Sequence, residues 1–155
     1  MTGWRLLRKD FAEAALTGEG ARIHGGRWNR RGTSVIYASE HLSLAALELF
    51  VRLELDDAME LFTAIPIEIP DSVRIDRIAI SSLPGDWRET PPVQSTQDIG
   101  EDWIKKRATA VLMVPSIIVP LECILIINPS HSDFSKITVG RQCDFAYDPR
   151  LWKIG

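Results

Sequence analysis

The sequence predicts a single α+β domain with central β-sheets flanked by helices. Three observations carry that reading. The length of 155 residues suits one domain. Several short apolar and β-branched runs have the length of strands, and Cys123 to Ile127 is apolar enough for a central buried one. Two longer stretches, Leu42 to Leu53 and Thr96 to Ala108, repeat their apolar residues at helical spacing.

Composition narrows the function classes. Hydrophobic residues make up 45% of the chain and charged residues 25%, which is ordinary for a globular protein. A net charge of −3 and a pI near 5.6 give no electrostatic case for binding nucleic acid or an anionic membrane. No apolar run approaches the roughly 20 residues of a membrane-spanning helix. The opening MTGWRLLRKDFAEAAL lacks the apolar core of a signal peptide, so the cytoplasm is the expected compartment. Cys123 and Cys143 stand alone, and His24, His41 and His131 are scattered, so neither a disulfide framework nor a zinc site has support. The GxGxxG turn and the P-loop are absent, and a bound nucleotide would have to be held another way.

In chain order, Trp4 to Leu7 read as a first strand. Asp10 then caps a short helix to about Leu16, ended by Gly18 and Gly20. Residues 34–38 form the next strand, ended by Tyr37, with Ser39 as N-cap of the helix from Leu42 to Leu53. Met59 to Ile69 alternates as a strand, and Pro66 assigns it to an edge or a bulge. Asp71 to Ile75 adds a short strand. Residues 81–95 (SSLPGDWRETPPVQS) form the longest loop, ordered by Asp86 and Trp87. Thr96 caps the second main helix, whose apolar face is Ile99, Trp103 and Ile104. Its basic end, Lys105, Lys106 and Arg107, suits a helix C-terminus. Val111 to Val114 is a strand broken by Pro115-Ser116, Asn128 to His131 is a turn, and Phe134 to Val139 is the last strand.

The stretch the chain is organised around is residues 25–53. Gly25-Gly26 and Gly32 bracket a polar turn carrying Arg27, Trp28, Asn29, Arg30 and Arg31. The helix that follows is apolar nearly all round, with Leu44, Leu47 and Val51 opposite the main stripe, yet it carries Glu48. A helix of that kind is expected to be buried. A buried carboxylate needs a cation or several donors. Two readings stay open: an i,i+4 pair with Arg52, worth a few tenths of a kcal/mol, or an active-site acid facing a cleft and answered by Arg27.

The run Gly25-Gly26-Arg27-Trp28-Asn29, then Gly32, Tyr37 and Ala45-Ala46-Leu47-Glu48, resembles the opening signature of the RES-domain toxins of bacterial RES–Xre toxin–antitoxin pairs. Val114-Pro115-Ser116 is similar to the motif that carries the family's serine. Arg5, Leu83-Pro84-x-Asp86-Trp87, Gly100-x-x-Trp103, Asn128-Pro129 and Asp148-Pro149-Arg150-Leu151 follow in the family's order, so the resemblance spans residues 1–155 as one domain. Arg30-Arg31 and Ser132 depart mildly from the pattern, in loops.

The resemblance implies an ADP-ribosyltransferase-like fold and a reaction that breaks the nicotinamide–ribose bond of NAD+, with NAD+ as substrate and neither cofactor nor metal. Loss of nicotinamide leaves an oxocarbenium-like sugar, which a fixed carboxylate stabilises. Nicotinamide is cationic while attached and leaves neutral, so no general acid is required. By resemblance the catalytic group is Arg27, Tyr37, Glu48 and Ser116, and the NAD+ contacts are Arg5, Arg27, Tyr37 and Asn128. Arg27 would take the diphosphate, with Arg5 as helper. Tyr37 would stack on nicotinamide or lock the ribose. Each also has a plainer reading: Arg5 as an edge residue, Tyr37 as a core aromatic, Ser116 as a strand-end cap, Asn128 as a turn residue, and Arg30 and Arg31 as solvated turn residues. Trp28 would pack beneath Arg27. The group is expected to converge on one dinucleotide-sized hollow. Water, phosphate or a protein side chain remains open as acceptor, so NAD+ depletion and mono-ADP-ribosylation of a specific protein are both allowed. The implied partner is an Xre-type helix-turn-helix antitoxin that carries the DNA contact and blocks the pocket. A homodimer within that complex is also admitted.

Overall fold

The computed structural model describes residues 1–152. Eleven elements build it: β1 (Thr2–Arg8), α1 (Glu19–His24), β2 (Ile36–Ser39), α2 (Leu42–Phe50), β3 (Phe62–Glu68), β4 (Ile75–Arg77), α3 (Gln94–Lys106), β5 (Val111–Pro115), β6 (Cys123–Ile127), β7 (Thr138–Val139) and β8 (Cys143–Phe145). The strands form one eight-stranded mixed sheet in the order β4-β5-β6-β2-β1-β3-β7, with β8 also on β3. Among the described residues only β4–β5 is parallel; the other pairs are antiparallel. The α+β class is as expected, with a single sheet where the sequence suggested more than one.

The pleat sorts side chains to two faces. Ile36 and Ala38 of β2 join Ile67, Val111, Met113, Leu125 and Ile127 on one face, closed in part by Leu16. Tyr37 and Ser39 point to the other, which is covered at two places. Near β1 and β3, α2 lays Ala45 against Leu6, Phe62, Ala64 and Tyr147. Near β5 and β6, Trp103 of α3 packs with Trp28, Val35, Leu112, Val114 and Ile126. The residues of interest lie between α2 and α3 on this second face.

Several expectations need correction. The helix α2 is not buried all round: Leu44 and Ala45 are buried, but Leu47 and Val51 are 43% and 62% exposed. It packs by one stripe and leaves the rest open. Its N-cap position is His41, not Ser39. The helix α3 starts two residues before Thr96, whose Oγ1 donates to the Val93 carbonyl at 3.0 Å. Pro66 is buried and β3 is an interior strand. The proline is tolerated because β8 pairs with residues 62–64 and β7 with residues 67–68, so it falls in the gap between two short partners. Residues 9–14 form a 3₁₀ turn, and Gly18 begins α1 where a helix end was expected. Phe134 lies in a 3₁₀ turn of residues 132–136, leaving Thr138 and Val139 as strand. The strand expected at 71–75 is displaced to β4.

Candidate active site

The polar turn after Gly25 is built around Asn29, which is fully buried. Its Nδ2 lies 2.9–3.1 Å from the carbonyls of Ala21, Arg30 and Thr33. Its Oδ1 accepts from the Tyr37 hydroxyl at 2.7 Å, and that oxygen accepts in turn from the Trp28 N–H at 3.0 Å. Tyr37 approaches so closely that a Cβ on Gly26 would sit 2.7 Å from its Oη. Burial pushes the Tyr37 phenol well above its usual range, which keeps it neutral. With its hydroxyl used within the turn, the ring is the part of Tyr37 left to meet a ligand. Tyr37→Phe removes both bonds and leaves two groups unpaired, at about 1–3 kcal/mol. The expected drop in melting temperature is roughly 2–4 °C per kcal/mol at this size; an unchanged melt would contradict the network.

The helix α3 clamps the same turn from outside. Gln97 Nε2 donates to the Gly26 carbonyl at 3.0 Å, while Glu101 accepts from the Arg30 N–H at 2.9 Å and the Thr33 hydroxyl at 3.1 Å. Arg30 pairs with Asp98, so its side chain faces the helix. The close fit depends on Gly100, where a Cβ would lie 1.7 Å from the Trp28 carbonyl oxygen. Trp28 is 2% exposed and is a core residue beneath the turn.

Arg27 is fixed by the long loop. Its Nη1 donates to the Trp87 and Glu89 carbonyls, each at 2.8 Å, and Nη2 reaches Thr90 Oγ1 at 3.5 Å. A guanidinium has five N–H donors. Among the described residues, Nε–H and one Nη2–H remain free, which is one bidentate edge. Arg27 makes no ion pair with Glu48. Burial lowers its pKa, and the nearby Glu48 carboxylate acts the other way.

Glu48 takes neither of the partners expected for it. Ser116 Oγ donates to Glu48 Oε1 at 2.8 Å, and the same oxygen accepts from the N–H groups of Ile118 and Val119 at 3.0 and 3.1 Å. Ser116 is 1% exposed at the end of β5. Its hydroxyl therefore caps the turn after β5, as in its plainer reading, and also orients the carboxylate. The fold thus brings together Arg27, Tyr37, Glu48 and Ser116.

It does not bring Arg5 or Asn128 to them. Arg5 alternates with Gly3, whose neighbours are Leu125 and Ala38, so it lies on the sheet face away from Tyr37. Its guanidinium donates to the Ala15 carbonyl, and burial pushes its pKa down to about 10. Replacing a desolvated cation by an apolar side chain of similar length is often neutral or stabilising. Arg5→Met is accordingly expected to fold and to keep any activity of the wild-type chain within about threefold. A complete loss in a folded variant would return Arg5 to the site. Asn128 Oδ1 accepts from the Ser130 N–H at 2.9 Å, which makes it a turn former. It sits past the far end of β6, six residues beyond the Glu122 that bonds the Ser116 N–H, or roughly 20 Å away along the strand.

Local pattern gave no sign of the role of Asn29, which organises the turn. Two open hollows of about 340 and 450 Å³ lie elsewhere, one lined by Met1, Ile69 and Lys136 and one by Lys9, Thr63 and Cys143. Neither includes a residue of this group. The group is defined by its hydrogen bonds and charges.

A model described as RES domain matches residues 2–148, and the chain belongs to that family. It is 38% identical over 151 residues to Toxin Res of Photorhabdus laumondii, covering 97% of this chain and 96% of that protein. It is 35% identical over 152 residues to the Prs ADP-ribosylating toxin of a Sphingobium species, covering 96% and 94%. In fold it is similar to a chain of the M. tuberculosis MbcT–MbcA toxin–antitoxin complex, with a TM-score of 0.76, 16% identity, and 97% and 86% of the two chains covered. No helix among the described residues is long and apolar enough to cross a membrane.

Proposed function

We propose that this protein is the toxin of a toxin–antitoxin pair and that it cleaves the nicotinamide–ribose bond of NAD+, depleting the cell of NAD+ by hydrolysis or phosphorolysis. The observation that carries the reading is the Glu48 carboxylate, held by a buried Ser116 at 2.8 Å in the neighbourhood of Arg27 and Tyr37. A carboxylate aimed by a buried donor needs no reorganisation as positive charge grows on the ribose. The free edge of Arg27 suits a phosphate oxygen pair, and the neutral ring of Tyr37 suits stacking on nicotinamide. Ser116 acts through Glu48 as a positioning residue.

The test is to incubate purified protein with NAD+, with and without inorganic phosphate, and to follow free nicotinamide. Release in either condition is the expected result, and the phosphate dependence names the acceptor. No nicotinamide in both conditions would overturn the proposal. Ser116→Ala should release nicotinamide about ten times more slowly, having lost the bond that orients the acid.

A second reading has one observation in its favour, the ADP-ribosylating toxin among the relatives. In that reading ADP-ribose passes to a protein side chain. Labelled NAD+ added to a lysate would then mark a discrete band, whereas depletion releases soluble product. In either case the partner is an Xre-type helix-turn-helix antitoxin that covers this face and carries the DNA contact. The toxin acts in the cytoplasm, and the complex contains a toxin homodimer. Co-purification with the product of a neighbouring small gene would test the partner.

A further inference from the structure

We infer that Arg88 is a positioning residue of this site, a strap that sets the spacing between the Arg27 guanidinium and the Glu48 carboxylate; this rests on the NAD+ reading above. Its Nη2 donates to the Ile117 carbonyl at 2.8 Å, joining the 81–95 loop to the turn after β5. Those two segments hold the two ends of the site. The carbonyls of Trp87 and Glu89, on either side of Arg88, each accept from Arg27 at 2.8 Å. The turn after β5 holds Ser116, whose hydroxyl orients Glu48 at 2.8 Å. Among the hydrogen bonds of the described residues, Arg88 to Ile117 is the one that links that loop to that turn.

The contact falls on one peptide group. The Ile117 carbonyl and the Ile118 N–H belong to the same planar unit. Arg88 donates to its oxygen, and Ser116 Oγ accepts from its N–H at 3.0 Å. Arg88 and Ser116 therefore grip the plane from opposite edges, and hydrogen bonds in such a chain strengthen one another. A loop that shifted would turn this plane, and with it the hydroxyl that aims the carboxylate. A connected path of hydrogen bonds and short backbone steps thus runs from Arg27 through residues 87–89, Ile117 and Ser116 to Glu48.

The strap is supported at its root. The Arg88 guanidinium carbon lies 5.9 Å from the centroid of the Trp87 ring, within cation–π range, and that ring is buried. One residue earlier, Asp86 accepts from Ser95 Oγ at 3.0 Å, which ties the loop to the first turn of α3. The helix α3 also clamps the glycine-bracketed turn that carries Arg27. Arg27, its loop and α3 thus form one frame, and Arg88 carries that frame across to the side of Ser116 and Glu48. The chemistry is sensitive to this spacing, because the diphosphate is held at one end and the ribose must meet the acid at the other. A misplacement of about 1 Å can cost as much as 10²-fold in rate. Binding of the diphosphate by Arg27 does not need the acid, so a loosened strap shows in rate rather than in affinity.

Arg88→Met keeps the apolar stem and removes the donor; Arg88→Lys keeps a donor of similar reach. Because the residue is exposed, both variants should melt with the wild-type protein. In Arg88→Met, kcat for nicotinamide release should fall about tenfold, while KM for NAD+ and Kd for ADP-ribose, read by calorimetry, stay within about threefold. Arg88→Lys should recover most of the lost rate. Amide hydrogen exchange at Ile118 and Val119 should quicken in Arg88→Met, with the strand β6 unchanged. An unchanged kcat in Arg88→Met would overturn the inference. So would a tenfold rise in KM and Kd at constant kcat, which would make Arg88 a ligand contact. A loss of kcat that follows the melting temperature and is not recovered by Arg88→Lys would also overturn it, as a structural contact alone. A wild-type protein that releases no nicotinamide would remove the cleavage reading. Quickened exchange in Arg88→Met would then still support the strap, and unchanged exchange would overturn both.

Discussion

Replacing Glu48 by Gln should lower the rate of nicotinamide release about 10²–10³-fold and abolish growth arrest, with the fold intact. The side chains are the same size, and the amide oxygen can still accept the Ser116 hydrogen bond seen at 2.8 Å. What disappears is the negative charge beside the ribose. The expected signature is a fall in kcat and in kcat/KM by similar factors, which marks an interaction realised only in the transition state. Melting temperature, read on the same preparation, should move by no more than an ordinary surface substitution moves it. A Glu48→Gln variant that still arrests growth would remove this acid from the mechanism.

Gly100→Ala should destabilise the protein, against the normal trend for a helix interior. Glycine to alanine within a helix ordinarily gains about 1 kcal/mol. Here the added Cβ would lie 1.7 Å from the Trp28 carbonyl oxygen and 2.7 Å from its carbonyl carbon, both backbone atoms that cannot swing aside. The helix would have to back away from the turn, stretching the Gln97 and Glu101 bonds that clamp it. Overpacking of this sort costs about 1–3 kcal/mol. Thermal unfolding and nicotinamide release should both suffer, because the clamped turn carries Arg27. A Gly100→Ala protein that melts higher than wild type would show that the close approach is not tight.

Features with a strong local cause were legible in the chain. Cys123–Ile127 forms β6 at the expected bounds because a strand between two neighbours needs apolar residues on both sides. Arg30 is held at the surface by Asp98, close to its plain reading as a turn residue. Features set by distant partners were misread. Pro66 suggested an edge, and only the break between β8 and β7 explains its interior place. Gly18 suggested a helix end, yet its positive φ of 69° starts α1. The strand β8 is short and polar, with no apolar alternation to announce it.

The same division holds at the site. Glu48 drew notice as an acid in an apolar helix, although α2 proved half open. Its real partner, Ser116, lies 68 residues away, a distance no local pattern spans. The resemblance joined them by motif order, and the fold joins them by a hydrogen bond. The partners of Arg27 are backbone carbonyls of the 87–90 loop, which carry no side-chain signal. Arg5 carried the right chemistry on the wrong face of its strand, a distinction that turns on one step of alternation.

The most direct check is a crystal structure of this protein with ADP-ribose. The expected density puts the terminal ribose within hydrogen-bond reach of Glu48, and the diphosphate against the free edge of Arg27. ADP-ribose seated instead in either of the two hollows beside Met1 or Cys143, with the Glu48–Ser116 pair untouched, would contradict the assignment of this face as the active site.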